Sequence, residues 1–244
     1  MDEEQGVHTM AVKVDVKQLL EAGLHFGHKT SRWHPKMAPY IHSKRQESHI
    51  IDLVKTAEGL EAALPFISKT VAGGKKVLFV GTKKQAKDVV RTAAEEVGQP
   101  YVTERWVGGT LTNSKTVGAQ IKHMQQLENK MVNGDLEKRY NKLEVQRFAE
   151  EIEELNKKYG GIKNLEGKPG VVLVVDILSD ANAVREAKKL GVPVVAIVDS
   201  NADPSDIDYV IPGNDDAIKG ISLILDYVKQ AVVEGQAAIK KETK

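Results

Sequence analysis

The sequence predicts an α/β protein built on one doubly wound parallel sheet, interrupted by an inserted antiparallel helical hairpin. Three observations carry that expectation. Short, continuously apolar runs, Val77 to Val80, Val171 to Val175 and Val194 to Val198, read as strands buried on both faces, as parallel strands are. Helical patterns alternate with these runs on both sides of residues 118–159, which implies one sheet and not two separate domains. The intervening segment is rich in Lys, Glu, Gln and Asn and has turn residues only at Asn133-Gly134-Asp135, so it folds back on itself as two helices.

The elements follow in order. Asp15 is a plausible N-cap for a short helix to Ala22, with Val16, Leu19 and Leu20 at helical spacing and Gly23 and Gly27 beyond it. After Pro35 and Pro39, the apolar pieces Tyr40-Ile41 and Ile50-Ile51 read as a small hairpin bracketing Ser43 to Glu47. A helix from Thr56 to Val71 follows, with Leu60, Ala63, Leu64 and Ile67 on one face and Gly73-Gly74 at its end. Strand Val77 to Val80, a turn at Gly81, helix Ala86 to Val97 and strand Tyr101-Val102 open a βαβ unit. In the hairpin, Phe148, Ile152, Leu155 and Tyr159 form a narrow stripe on the second arm, and Ile121, Met124 and Leu127 a shorter one on the first. Alternation then resumes with Val171 to Val175, helix Asn182 to Leu190, Val194 to Val198, a short strand Tyr209 to Ile211 and a helix from Asp216 to Glu234. The expected organisation is a flexible acidic tail over 1–11, one sheet domain over 12–117 and 160–234, the insertion at 118–159, and a flexible basic tail over 235–244.

Composition narrows the function. The chain has 244 residues, enough for one α/β domain with an appendage, and its 5% aromatic content means an aliphatic core. With 35 basic and 34 acidic residues the net charge is +1, so any case for nucleic acid must rest on where the charges sit. The absence of cysteine excludes thiolate chemistry and disulfides and fits an intracellular, cytoplasmic protein. The longest apolar run, Val192 to Val198, is too short to span a membrane, and the first ten residues lack the basic and apolar regions of a signal peptide.

Catalytic chemistry has little to stand on. Val77 to Val80 runs into Gly81-Thr82-Lys83-Lys84, but there is no G-x-G-x-x-G and no Walker lysine, so an RNA phosphate contact by Lys83 or Lys84 is the better reading than a nucleotide site. Asp176 and Asp199 end buried strands as receiver carboxylates do, yet Gly81-Thr82 stands where a receiver needs an acidic pair. The carboxylates Asp199, Asp203, Asp206, Asp208, Asp215 and Asp216, with His25 and His28, are the right types for a divalent ion, but their spacing is also ordinary turn and capping chemistry, and no metal ligand is assigned. No nucleophile arrangement is present, so the expectation is a protein without catalytic residues, cofactor or small-molecule substrate, and a phosphate-binding or receiver-like enzyme is the alternative.

The positive signal is local. From Gly23 to Gln46 the chain carries Lys29, Arg32, Lys36, Lys44 and Arg45 with no acid, interleaved with Phe26, Trp33 and Tyr40, a pattern suited to structured RNA. A second segment, Glu104 to Lys115, offers Arg105, Trp106, Thr110, Asn113 and Lys115 around two glycines that allow close backbone approach. The candidate RNA contacts are Lys29, Arg32, Trp33, Lys36, Lys44 and Arg45 of the first segment, Arg105, Trp106, Thr110, Asn113 and Lys115 of the second, and Lys83 and Lys84. The bland counterpart is a solvated basic loop with a core Trp in the first segment, and an Arg-Trp pair buttressing the hairpin base in the second.

The strings LLEAGLHFGHKTSRWHPKM, VLFVGTKKQA, RWVGGTLTN and VPVVAIVDSNADPSDIDYVIPGNDDAI, in this order, resemble the bacterial small-subunit ribosomal protein number two (S-two) family from about Val16 to Val228. The resemblance implies a five-stranded, flavodoxin-like sheet with an inserted coiled-coil hairpin. It also implies a ribonucleoprotein role in translation: binding small-subunit rRNA and neighbouring ribosomal proteins, including the one that captures messenger RNA. The family's HFGH and first RW motifs fall on His25 to His28 and Arg32-Trp33, its second RW and GGTLTN motifs on Arg105-Trp106 and Gly108 to Asn113. Lys29, Ser31 and His34 replace the family's common Gln, Arg and Asn, and the apolar and acidic Ile177 to Asp180 replaces a turn that commonly carries a basic group.

Overall fold

A computed structural model describes residues 13–242, so the expected acidic tail at 1–11 lies outside the described residues. Eight strands and eight α-helices are described, in two sheets.

The main sheet is formed by β4 (Val77–Val80), β5 (Tyr101–Val102), β6 (Val171–Val174), β7 (Val194–Val198) and β8 (Tyr209–Pro212). Its order is β5-β4-β6-β7-β8 and every pairing is parallel, as a flavodoxin-like sheet requires. Strand alternation divides the core in two. Val77, Phe79, Leu173, Val195, Ile197 and Ile211 face one layer; Leu78, Val80, Val172, Val174, Val194 and Ala196 face the other. The first layer is covered by α2 (Leu53–Ala72), α3 (Lys87–Glu96) and α8 (Ile218–Glu242), the second by α7 (Ala181–Lys189) and the base of the insertion.

Helix α2 begins three residues before the expected Thr56 because Asp52 caps it, its carboxylate accepting from the Val54 N–H at 2.9 Å. It lies close on β8, where the buried Thr56 hydroxyl donates to the Pro212 carbonyl at 2.6 Å and Gly59 faces the Val210 carbonyl with no room for a Cβ. Helix α8 continues to Glu242, so the described part of the segment 235–244, expected as a flexible basic tail, is helical. Part of the reason is a tertiary anchor, since the Gln236 amide donates to the Val97 carbonyl at 2.8 Å.

Ahead of this domain, α1 (Val16–Glu21), capped by Asp15, leads into a second sheet of β1 (Phe26–Lys29), β2 (Ile41–Arg45) and β3 (Ser48–Ile51). Its order is β1-β3-β2, all antiparallel. The expected hairpin is β2-β3. Strand β1 is an addition, joined by the backbone of Phe26-Gly27-His28-Lys29 where the sequence has no alternating pattern to announce it.

Between β5 and β6 stand α4 (Ser114–Val132), α5 (Asp135–Arg139) and α6 (Lys142–Tyr159). Val117, Met124 and Tyr159 are buried in the second core layer and Ile121 and Leu155 pack against it, so the base of the insertion is part of the domain. Asn141 and Glu144 form a capping box that restarts the chain as α6.

Candidate nucleic-acid interface and the carboxyl edge of the sheet

The N-terminal sheet is held to the main domain by the loop after β7. The Ser200 hydroxyl accepts from the His28 N–H at 2.8 Å, and the Ser200 carbonyl accepts from the His34 N–H at the same distance. Asn214 N–H donates to the Leu24 carbonyl at 3.1 Å. This clamp turns the acid-free segment outward: Lys29, Arg32, Lys44 and Arg45 are exposed and have no carboxylate partner among the described residues. Phe26 is 54% exposed beside Lys29 and Arg32, and Trp33 is 37% exposed with its ring against buried His49, so both keep an accessible aromatic face. Lys36 differs from its neighbours, because Asp203 and Ser205 hold its ammonium at 2.9 and 2.7 Å.

The carboxyl ends of the strands are closed by internal bonds. Asp180 takes the Thr82 N–H at 3.0 Å and the Thr82 hydroxyl at 2.8 Å across the crevice between β4 and β6. Asp176 caps the following turn through the Leu178 N–H and the Ser179 hydroxyl. Lys83 turns inward: its ammonium meets Asp215 at 2.6 Å, Asp216 at 2.7 Å and Asp176 at 3.6 Å. Of the two lysines expected to contact phosphate, the structure thus sets Lys83 among carboxylates and leaves Lys84 exposed. Burial works against the Lys83 charge, but Asp215 and Asp216 outweigh it and raise its pKa. Asp215 is nonetheless pushed up to about 7, by burial first and then by the charge of Asp176. The two directions are compatible, since one cation shared by three carboxylates stays protonated while neutralising each only in part.

His28 approaches the same edge, Nδ1 at 3.1 Å from Asp199 Oδ2 and Nε2 at 3.7 Å from Asp216. The Asp199 contact is an electrostatic one with poor hydrogen-bond alignment, yet it raises the pKa of His28. Of the His and Asp residues considered for a divalent ion, His28, Asp199 and Asp215 converge, with ligand-type atoms within 4.8 Å of one another. Of the others, Asp203 pairs with Lys36, Asp206 with Lys188 and Asp216 with Lys83, Asp208 accepts the Val194 N–H at 2.8 Å, and His25 stands apart with its Nδ1 buried and unpartnered.

The second segment sorts its residues into two sets. Arg105, Asn113 and Lys115 are exposed. Trp106 and Thr110 are each only 6% exposed, and the Thr110 hydroxyl donates to the Val107 carbonyl, so these two expected RNA contacts point into the protein. The reason is Glu186 of α7, to which the Trp106 indole N–H donates at 3.0 Å and the Gly109 N–H at 2.7 Å. Sequence reading missed Glu186, because an acid between Arg185 and Lys188 on a surface helix carries no signal of its own.

The family model described as ribosomal protein S2 matches residues 19–235, nearly the whole described fold. The chain belongs to the ribosomal protein S2 family. It is 51% identical to the small ribosomal subunit protein uS2 of Roseiflexus sp., over 91% of this chain and 85% of that protein. With the uS2 of Chloroflexus aggregans the identity is 49%, over 91% of this chain and 93% of the other. For the uS2 of Coprothermobacter proteolyticus the figures are 48%, 93% and 84%. The S2 family is structural and non-enzymatic.

Proposed function

We propose that this chain is a structural constituent of the small ribosomal subunit and binds rRNA through two outward basic surfaces. The first is the N-terminal sheet, with Lys29, Arg32, Lys44 and Arg45 beside Phe26 and Trp33; the second is the hairpin-base loop, with Arg105, Asn113 and Lys115. One observation carries the reading: a stretch without an acid, in a protein of net charge +1, folds so that four cations stay clear of carboxylates. Such cations displace counterions from phosphates, while exposed aromatic faces stack on unpaired bases. Lys84 belongs with the first surface by charge and exposure, and Lys36 does so less because of Asp203.

The insertion serves as an antiparallel coiled-coil arm for neighbouring ribosomal proteins, among which the family resemblance includes the one that captures messenger RNA. Its support is the seam of Met124 and Leu127 with Ile121 and Leu155, and exposed apolar residues Val132, Tyr140 and Leu143 away from that seam. No described helix is long and apolar enough to cross a membrane, and a cytoplasmic ribosome is the implied location. The test is sedimentation: the full chain is expected to travel with small subunits, and K29A/R32A to dissociate at lower salt. Recovery of the native protein outside ribosomal particles would overturn the reading.

A further inference from the structure

An acidic side chain beside an RNA-facing loop repels the ligand unless its charge is already spent. Glu186 is spent completely. Its Oε1 accepts from Trp106 Nε1 at 3.0 Å and the Gly109 N–H at 2.7 Å. Its Oε2 accepts from the Leu111 N–H at 3.0 Å, and from the Thr112 N–H and hydroxyl, both at 3.1 Å. Gly109 adopts φ of 91°, the left-handed conformation, and the Gly109, Leu111 and Thr112 amides of the loop turn toward one point, a cradle that selects an anion. The loop glycines and hydroxyls that suggest phosphate binding thus receive an anion from within the protein.

We propose that Glu186 is the positioning residue of the RNA-facing loop: its carboxylate, delivered from α7, fills the anion cradle of residues 106–112 and so fixes the outward presentation of Arg105 and Lys115. This rests on the RNA-facing role argued above. Burial pushes the Glu186 carboxyl up, but donation from Trp106, Gly109, Thr112 and Leu111 outweighs it and leaves the group below its ordinary value, hence ionised near neutrality. Charge-assisted bonds of this type are the strong ones, and five on one carboxylate fix a loop that has no regular secondary structure. The arrangement also separates the loop's two chemistries, since the amides and the indole are committed inward while the guanidinium and ammonium remain outward.

The test uses the full chain and small subunits depleted of this protein. Glu186→Ala is expected to rebind them about tenfold more weakly, the equivalent of losing roughly one charge-assisted hydrogen bond at the interface. Exchanging chloride for acetate at constant ionic strength refills the cradle, and is expected to restore binding and amide protection at Gly109, Leu111 and Thr112 in that variant only. Glu186→Gln, which keeps the shape but turns an amide N–H₂ toward donors, is expected to fall between the two. Unchanged binding by Glu186→Ala, or acetate acting equally on the wild type, would overturn the proposal. R105A/K115A separates it from the reading beneath it. If that double variant binds normally, the RNA-facing role of the loop falls; if it binds weakly while Glu186→Ala does not, only the positioning role falls.

Discussion

Removing the Lys83 ammonium would leave Asp176, Asp215 and Asp216 facing one another without their shared cation, and two of the three are almost wholly buried. Lys83→Met is expected to cost about 3–5 kcal/mol at neutral pH, the usual consequence of uncompensated buried charge. The pH dependence has a definite sign. The Asp215 carboxyl is raised to about 7 in the folded chain, so its charged form opposes folding, and that penalty grows as pH rises from the unfolded value toward 7. Lys83 offsets the penalty in the wild type, so urea unfolding should show the deficit of the variant widening between pH 4 and pH 8. A constant deficit would remove the cation from this role. His49 has the opposite consequence. It is 1% exposed, neither ring nitrogen has a hydrogen-bond partner, and burial, with Lys44 second, lowers its pKa below 6.5. The unfolded chain therefore takes up a proton that the folded chain resists, and stability is lost as pH falls below about 6.5. His49→Leu should flatten the fall in urea midpoint between pH 7 and pH 5; an identical fall in both proteins would mean that another group is responsible.

At the scale of elements, glycine in a helix has two opposite meanings, and α2 and α4 supply one of each. A Cβ at Gly59 would overlap the Val210 carbonyl, where α2 lies on β8, whereas a Cβ at Gly118 of α4 would meet nothing within 4 Å. Gly118→Ala should therefore raise stability by about 0.5–1 kcal/mol, the ordinary helix-propensity gain. Gly59→Ala earns the same propensity but must open the helix-sheet contact, and should lose about 1–3 kcal/mol net. Melting temperatures moving in the same direction would refute the close approach. These contacts also mark the limit of what the sequence reveals. Leu60, Ala63, Leu64 and Ile67 announce the buried face of α2 by their period, and Val77 to Val80 announces its strand by being apolar throughout. Nothing in Phe26 to Lys29 announces β1, because its place in the sheet comes from backbone pairing to β3 and not from a side-chain pattern. The site divides in the same way. Lys29, Arg32, Lys44 and Arg45 are legible because the stretch from Gly23 to Gln46 that carries them has no acid, whereas the partners of Lys83 and Trp106 lie 93 or more and 80 residues away along the chain.

For the whole molecule the governing quantity is where charge remains uncompensated, since 35 basic residues against 34 acidic ones give no attraction to RNA at long range. Ion pairs remove Lys36, Lys83, Lys87 and Arg91 from the reckoning, through Asp203, the acidic cage and Glu104. Exposed cations remain on other faces too, Lys75, Lys122, Arg147 and Lys219 among them, but on the N-terminal sheet they cluster in a stretch without an acid, and salt-dependent binding should follow that cluster. Each phosphate contact contributes about 0.7 to 0.9 to the slope of log affinity against log salt. Removing both Lys44 and Arg45 should therefore lower the magnitude of that slope, measured by release from small subunits, by about 1.4 to 1.8. Arg91→Ala lies on α3 with its guanidinium already paired to Glu104 at 3.0 Å, and should leave the slope unchanged. Equal reductions in the two proteins would mean that binding follows total charge, and the confinement of RNA contact to two surfaces would fail.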